Sequence, residues 1–150
     1  MVKGIATLSN NFTPNRAVIS MLWIVAIGIV LYWIPYFSDG SVHATTDTCY
    51  HNFQRNFPAA DAMIALMCML CAEGLRRSKP WSIFTAMVTT GGLLFLALID
   101  ISYNIWNDMY LQSSAAIGDE IIINAVCLTT PACLWLYLYK HRNALIPVNE

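Results

Sequence analysis

Residues 81–106 read WSIFTAMVTTGGLLFLALIDISYNIW, a run whose one charged residue is Asp100. About 20 predominantly apolar residues cross the hydrocarbon of a bilayer as a helix. Within lipid the backbone has to pair its polar groups inside such a helix, so the run predicts a transmembrane segment. Three further stretches share its character. Residues 17–37, AVISMLWIVAIGIVLYWIPYF, hold no charge. Residues 58–75 hold AMIALMCMLCA between Asp61 and Glu73, each within about a turn of an end of the stretch, where a charge can reach the interface. Residues 119–139 open on Asp119-Glu120 and are apolar from there to Tyr139. The expected fold is an all-α, four-transmembrane-helix bundle, a single integral membrane domain over residues 1–150.

Composition points the same way. The chain is 57% hydrophobic and 11% charged, with a mean hydropathy of +0.54, whereas soluble domains carry about a quarter charged residues. A net charge of -1 offers no basic surface, which excludes nucleic acid as a partner. The first stretch could be read as a signal peptide, since Lys3 and Arg16 precede it and Val42-His43-Ala44 resembles a cleavage site. Its apolar run exceeds the ~7 to 15 residues of a signal core, which favours a retained helix. Thr13-Pro14 suits its start, with Thr13 as cap and Pro14 in the first turn. The sequon Asn11-Phe12-Thr13 precedes a proline and falls on the inner side, so it is set aside.

Basic residues orient the helices. Lys3 and Arg16 precede the first; Arg76, Arg77 and Lys79 join the second to the third; Lys140, His141 and Arg142 follow the fourth. By the positive-inside rule both termini are cytoplasmic, with only Arg55 arguing otherwise. Trp33 with Tyr36, Trp106 with Tyr110, and Trp81 and Trp135 with Tyr139 fall where aromatic interface belts are expected. Two connections then face outward, Ser38 to Phe57 and Asn107 to Gly118. The first exceeds the ~2 to 8 residues usual between helices of a bundle, which suggests that it covers or contacts something.

All acidic residues of the four stretches except Glu73 gather toward this outer side. On the third helix Asp100, Tyr103, Asn104 and Asn107 share a sector of roughly 100°, continued inward by Leu96, Leu93 and Thr89. On the fourth, Glu120, Asn124, Cys127 and Pro131 share a face, and the proline invites a kink or an unpaired carbonyl. Asp61, Asp100 and Glu120 are expected at similar depth, forming a pocket with Tyr103, Asn104 and Asn124 that opens outward. The plainer alternative makes Asp61, Asp119 and Glu120 first-turn acids that complement helix dipoles. Asp100 lies toward a helix C-terminus, where the dipole disfavours negative charge. An ionisable residue there marks a functional site by default, although a structural hydrogen bond to another helix would also account for it.

The first outer connection contains His43, Asp47, Cys49 and His51, a donor set suited to a transition metal, although Cys49-Tyr50-His51 is no recognised metal spacing. Such loop residues are commonly solvated, and Cys49 reads as a free or intermolecular thiol. Glu73 with Arg76 and Arg77 reads as a surface ion pair. Thr89-Thr90-Gly91-Gly92 reads as a point of close backbone approach. The first helix, interrupted only by Ser20, Gly28 and Tyr32, is expected to pack with aliphatic contacts or to face lipid.

Cys68 and Cys71 form a C-x-x-C spacing that resembles quinone-linked thiol oxidoreductases of the vitamin K epoxide reductase type. The position, mid to inner in the second helix among Met67, Met69 and Leu70, disagrees with that family's outer pair, and packed apolar thiols are the better reading. Phe57-Pro58-Ala59-Ala60-Asp61, Leu75-Arg76-Arg77-Ser78-Lys79-Pro80-Trp81 and Asp100-Ile101-Ser102-Tyr103-Asn104 resemble a pattern in prokaryotic four-helix membrane proteins, over about half of the chain. That resemblance implies the architecture and carries no activity. In helix number and intramembrane carboxylates the chain is also loosely similar to emopamil-binding and sigma-2 type bundles, which implies a pocket for a sterol or a cationic amphiphile.

The expected function is therefore non-enzymatic. The chain binds a small cationic ligand in an outward acidic pocket, or serves as a subunit of a larger membrane complex, with the bilayer and a membrane protein or further copies of itself as partners. A lipid isomerase of emopamil-binding type is the alternative. No cofactor is indicated.

Overall fold

The computed structural model describes residues 14–43, 45–111 and 115–142. Lys3, Thr13, the sequon at Asn11 and Ala44 lie outside the described residues. Among the described residues all regular structure is helical: α1 (Arg16–Ser38), α2 (Thr48–Gln54), α3 (Phe57–Arg76), α4 (Ser82–Trp106), a 3-10 turn (Met109–Leu111) and α5 (Ala115–Lys140). Four segments are long and apolar enough to cross a membrane: Arg16–Ser38, Thr48–Arg76, which joins α2 and α3, Ser82–Trp106 and Ile117–Lys140.

Local chemistry sets the ends. Asn15 caps α1 by accepting the Ala17 N–H at 2.9 Å. Pro14 thus precedes the helix and does not occupy its first turn. At the other end Gly40 adopts φ +69 and donates its N–H to the Pro35 carbonyl at 2.9 Å, a left-handed closure that glycine permits without Cβ strain. The Asp39 carboxylate accepts the Ser41 N–H at 2.8 Å, which holds its pKa below the usual carboxylate value.

Two departures from the sequence reading alter the polar end of the bundle. The outer connection is not wholly irregular. Asp47 caps α2 by accepting from the N–H groups of Cys49 (2.6 Å) and Tyr50 (3.2 Å). The fourth spanning helix starts at Ala115, four residues before Asp119, and α3 starts at Phe57 with no acid in its first turn. Asp61, Asp119 and Glu120 all lie beyond the first turn, where complementing a helix dipole no longer explains them.

α1 packs on α3, α3 on α4 and α4 on α5, while α1 and α5, which close the ring of four long helices, meet less closely than those three pairs. The apolar core includes Leu22, Ala26, Ala65, Cys68, Cys71, Ala72, Leu75, Ala86 and Leu93. Several are small, which lets apolar helices approach where water supplies no driving force. Gly74 shows this most sharply. A Cβ there would lie 2.7 Å from Trp81 Cζ3 and 2.8 Å from Ser82 Cβ. Gly92 packs against the Ile64 side chain, whereas Gly91 faces open space, so the expected close approach is made at one glycine of the pair and by a side chain, not by another backbone.

The surface carries the large apolar side chains. Ile24, Phe84, Phe95, Trp106, Ile122 and Leu136 are all more than 60% exposed, while Asp100, Asn104, Glu120, Asn124 and Thr130 are buried. Apolar outside and polar inside is an arrangement that water would disfavour and hydrocarbon would favour.

Candidate functional site: an acidic cavity

Counting ~1.5 Å per residue from the helix ends places Asp61 about 6 Å into α3, Glu120 about 7.5 Å into α5 and Asp100 about 9 Å from the end of α4. All three helix ends lie at the same end of the bundle. The three carboxylates, with Asp119, line one cavity of about 480 Å³ bounded by α1, α3, α4 and α5. That volume falls in the range of small-molecule pockets.

Each carboxylate is held differently. Asp61 Oδ2 accepts from the Trp33 indole Nε1 at 2.9 Å, which ties α3 to α1. Glu120 Oε1 accepts from the Tyr50 hydroxyl at 2.6 Å, which ties α5 to α2. Asp100 is 7% exposed and interacts with the side chains of Glu120 and Asn124 across the α4–α5 contact. Asn104, one turn further along α4, makes a long contact to Asp100 Oδ2 at 3.4 Å. Asn124 Nδ2 donates to the Tyr110 hydroxyl at 3.0 Å. Tyr32 of α1 lies beside Tyr50. A polar network thus spans α1, α2, α4, the 3-10 turn and α5.

Its composition is lopsided. The amide oxygens Asn104 Oδ1 and Asn124 Oδ1 are buried with no hydrogen-bond partner. Among the described residues no lysine, arginine or histidine lines the cavity. The site offers acceptors and negative charge without a protein cation to balance them, an arrangement that is costly unless a proton or a ligand neutralises it.

Of the residues singled out in sequence, Asp61, Asp100, Glu120 and Asn124 line this cavity. Asn104 supports it from behind through Asp100. Tyr103 does not join them. Its ring stacks on Phe53 of α2 with centroids 4.0 Å apart, and with Asn107 it lines a separate groove between α2 and α4. The shared sector of α4 is divided because α2 lies across the end of the bundle and covers one edge of it.

The four metal candidates have other engagements. Asp47 is engaged in capping α2. The His43 and His51 rings meet edge-on at 4.5 Å, with His43 Nε2 3.2 Å from the Tyr36 carbonyl. Cys49 is exposed with a free thiol. Among the described residues no group of three or more His, Cys, Asp or Glu side chains is arranged to hold a metal ion. Cys68 and Cys71 are fully buried free thiols within the apolar core. Glu73 pairs with Arg76 at 2.7 Å and with Arg77, at the end of the bundle opposite the cavity.

Three aromatic residues assigned to interface belts do other work. Trp33 binds Asp61, Tyr36 is 5% exposed, and Tyr110 binds Asn124. α1 is likewise no plain aliphatic helix, since Gly28, Tyr32 and Trp33 line the cavity. Tyr50 and Gln54, both buried, escaped the sequence reading altogether. Their signal was available: an Asp-Thr start at Asp47 followed by buried residues three and seven positions on, the spacing of a short helix with one inward face.

No family model matches the chain, and neither a curated protein nor a solved structure is similar to it.

Proposed function

We propose that this chain is a membrane-spanning four-helix protein, with both termini cytoplasmic, whose acidic cavity binds a small ligand carrying an ammonium group. The observation that carries the reading is the imbalance of the cavity. Four carboxylates, Asp61, Asp100, Asp119 and Glu120, and the Asn124 amide surround one space that no basic side chain of the described residues lines. An ammonium head supplies positive charge and several N–H donors at once, matching the carboxylates and the unpartnered amide oxygen. Two helix prolines bear on the acceptor surplus. Pro35 and Pro131, which have no N–H to give the carbonyls of Leu31 and Cys127, lie one turn from two residues that line the cavity, and either carbonyl turned inward would add an acceptor.

The test is Asp100→Asn, which keeps the shape of the side chain and removes its charge. Affinity for a simple alkylammonium, measured by calorimetry on the purified protein, should fall at least about tenfold, or ~1.4 kcal/mol, with helicity and thermal midpoint retained. If the substitution instead releases a co-purifying protein and leaves ammonium affinity unchanged, the acidic cluster is a subunit contact. Reporter fusions at each end test the orientation. An external signal from the carboxyl terminus would invert it.

A further inference from the structure

The cavity is covered at its polar end and open on its flank. Over the polar end lies α2, with Tyr50 fully buried and bonded to Glu120, and with Gln54 among the lining residues. On the flank, Ile24 (70%) and Leu31 (57%) of α1, with the exposed Gly28 between them, and Ile122 (62%) and Val126 (38%) of α5 both line the cavity and reach the outer surface, as does Asp119 at its acidic end. A residue can do both only at a mouth, and of the neighbouring long helices α1 and α5 pack least closely. Leu31 and Ile122 each lie seven residues from their helix ends, about 10 Å down, and Ile24 and Val126 lie about 21 and 16 Å down. Asp61, Asp100 and Glu120 lie above this level, so from Asp119 on its rim the mouth runs down toward the apolar belt.

We infer that the ligand is a bilayer-dissolved amphiphile, an alkyl amine without a phosphate group, that enters sideways between α1 and α5 and leaves its tail along that gap. This rests on the ammonium reading of the acidic end. The head group follows from charge: a phosphoester would face the carboxylates with no basic residue in the described lining to receive it. The tail follows from the walls, since Ile24, Leu31, Ile122 and Val126 offer only apolar surface to whatever lies between them. Gly28 widens the passage. A Cβ at that position would meet nothing within 4 Å, so the space beside it belongs to the cavity.

The experiment uses the full chain in phosphatidylcholine nanodiscs, with empty nanodiscs as the baseline for partitioning. Dodecylamine and ethylamine share a head and differ in tail, and dodecylphosphocholine adds a phosphate to the long tail. Dodecylamine should bind at least about tenfold tighter than ethylamine after correction for partitioning, and dodecylphosphocholine should not compete with it. Gly28→Phe fills the gap and should weaken dodecylamine at least about tenfold while changing ethylamine by less than about twofold. Should that variant not fold, Gly28→Leu gives the same pattern at reduced size. Equal affinity for the two amines, or equal loss of both in the Gly28 variants, overturns lateral entry and leaves the acidic site standing. Competition by dodecylphosphocholine overturns the head-group assignment. Absence of amine binding, or binding indifferent to Asp100→Asn, removes the acidic site itself and this inference with it.

Discussion

The two ends of the bundle solve the same packing problem in opposite ways. At the end where α3 turns into α4, the helices meet on small residues. Gly74 receives the Trp81 ring and Ser82 directly, and Cys71, Leu75, Ser82, Ala86 and Leu134 are fully buried around it. At the α2 end the same helices part around a cavity, and hydrogen bonds between side chains of different helices replace apolar contact: Trp33 to Asp61, Tyr50 to Glu120 and Asn124 to Tyr110. The contrast shows where the chain keeps stability and where it keeps room. Gly74 admits a neighbour and is structural, whereas Gly28 faces empty space and lines the cavity.

The comparison breaks most visibly at Gly74. Gly74→Val forces β-branched atoms into the space held by Trp81 and Ser82, and overpacking of this kind costs about 1–3 kcal/mol, at the upper end where backbone must shift. A thermal midpoint close to that of the unsubstituted protein would show that the packed end can relax. Tyr50→Phe should have a smaller effect on stability, about 1–2 kcal/mol, through loss of a hydrogen bond to a carboxylate. It should also loosen α2 over the cavity, seen as faster amide exchange in residues 48–54 with α3 and α4 unchanged. Equal protection in both proteins would mean that α2 is held by its aromatic contacts, Phe53 on Tyr103 above all. Gly28→Ala sharpens the contrast from the other side. It adds a methyl to open space in a helix interior, where alanine is favoured over glycine by about 0.5–1 kcal/mol, so stability should rise slightly. A loss would mean that α1 and α5 close on each other in the folded protein. The smallest effect belongs to Glu73→Gln, whose ion pairs with Arg76 and Arg77 are solvent-facing, and no shift in thermal midpoint should be resolved.

Legibility in the sequence followed the range of the interaction that decides each feature. The four long apolar helices rest on local composition, and each was found within a few residues of its expected bounds. The largest discrepancy is α5 beginning at Ala115 where residue 119 was expected: Ser113-Ser114 just before it offers a start signal, and Asp119-Glu120 offers a rival one four residues on. Asp100 stood out because a charge in the final turns of an apolar helix conflicts with its surroundings, and such a conflict is visible in one dimension. The division of its neighbours could not be seen there. Asn104 and Tyr103 are adjacent on α4, yet one meets Asp100 and the other meets Phe53, a residue 50 positions away.

The amino-acid sequence by itself determined that this chain forms long apolar helices and that its acids cluster at one end, because hydrophobicity, helical period and charge act along the chain at short range. Only the tertiary structure decided that Tyr50 closes on Glu120, that Trp33 reaches Asp61, and that α1 and α5 stand apart where the cavity opens. Those outcomes depend on which faces of distant helices meet and on what remains unfilled between them. An unfilled space is a property of the whole packing, not of any residue that lines it.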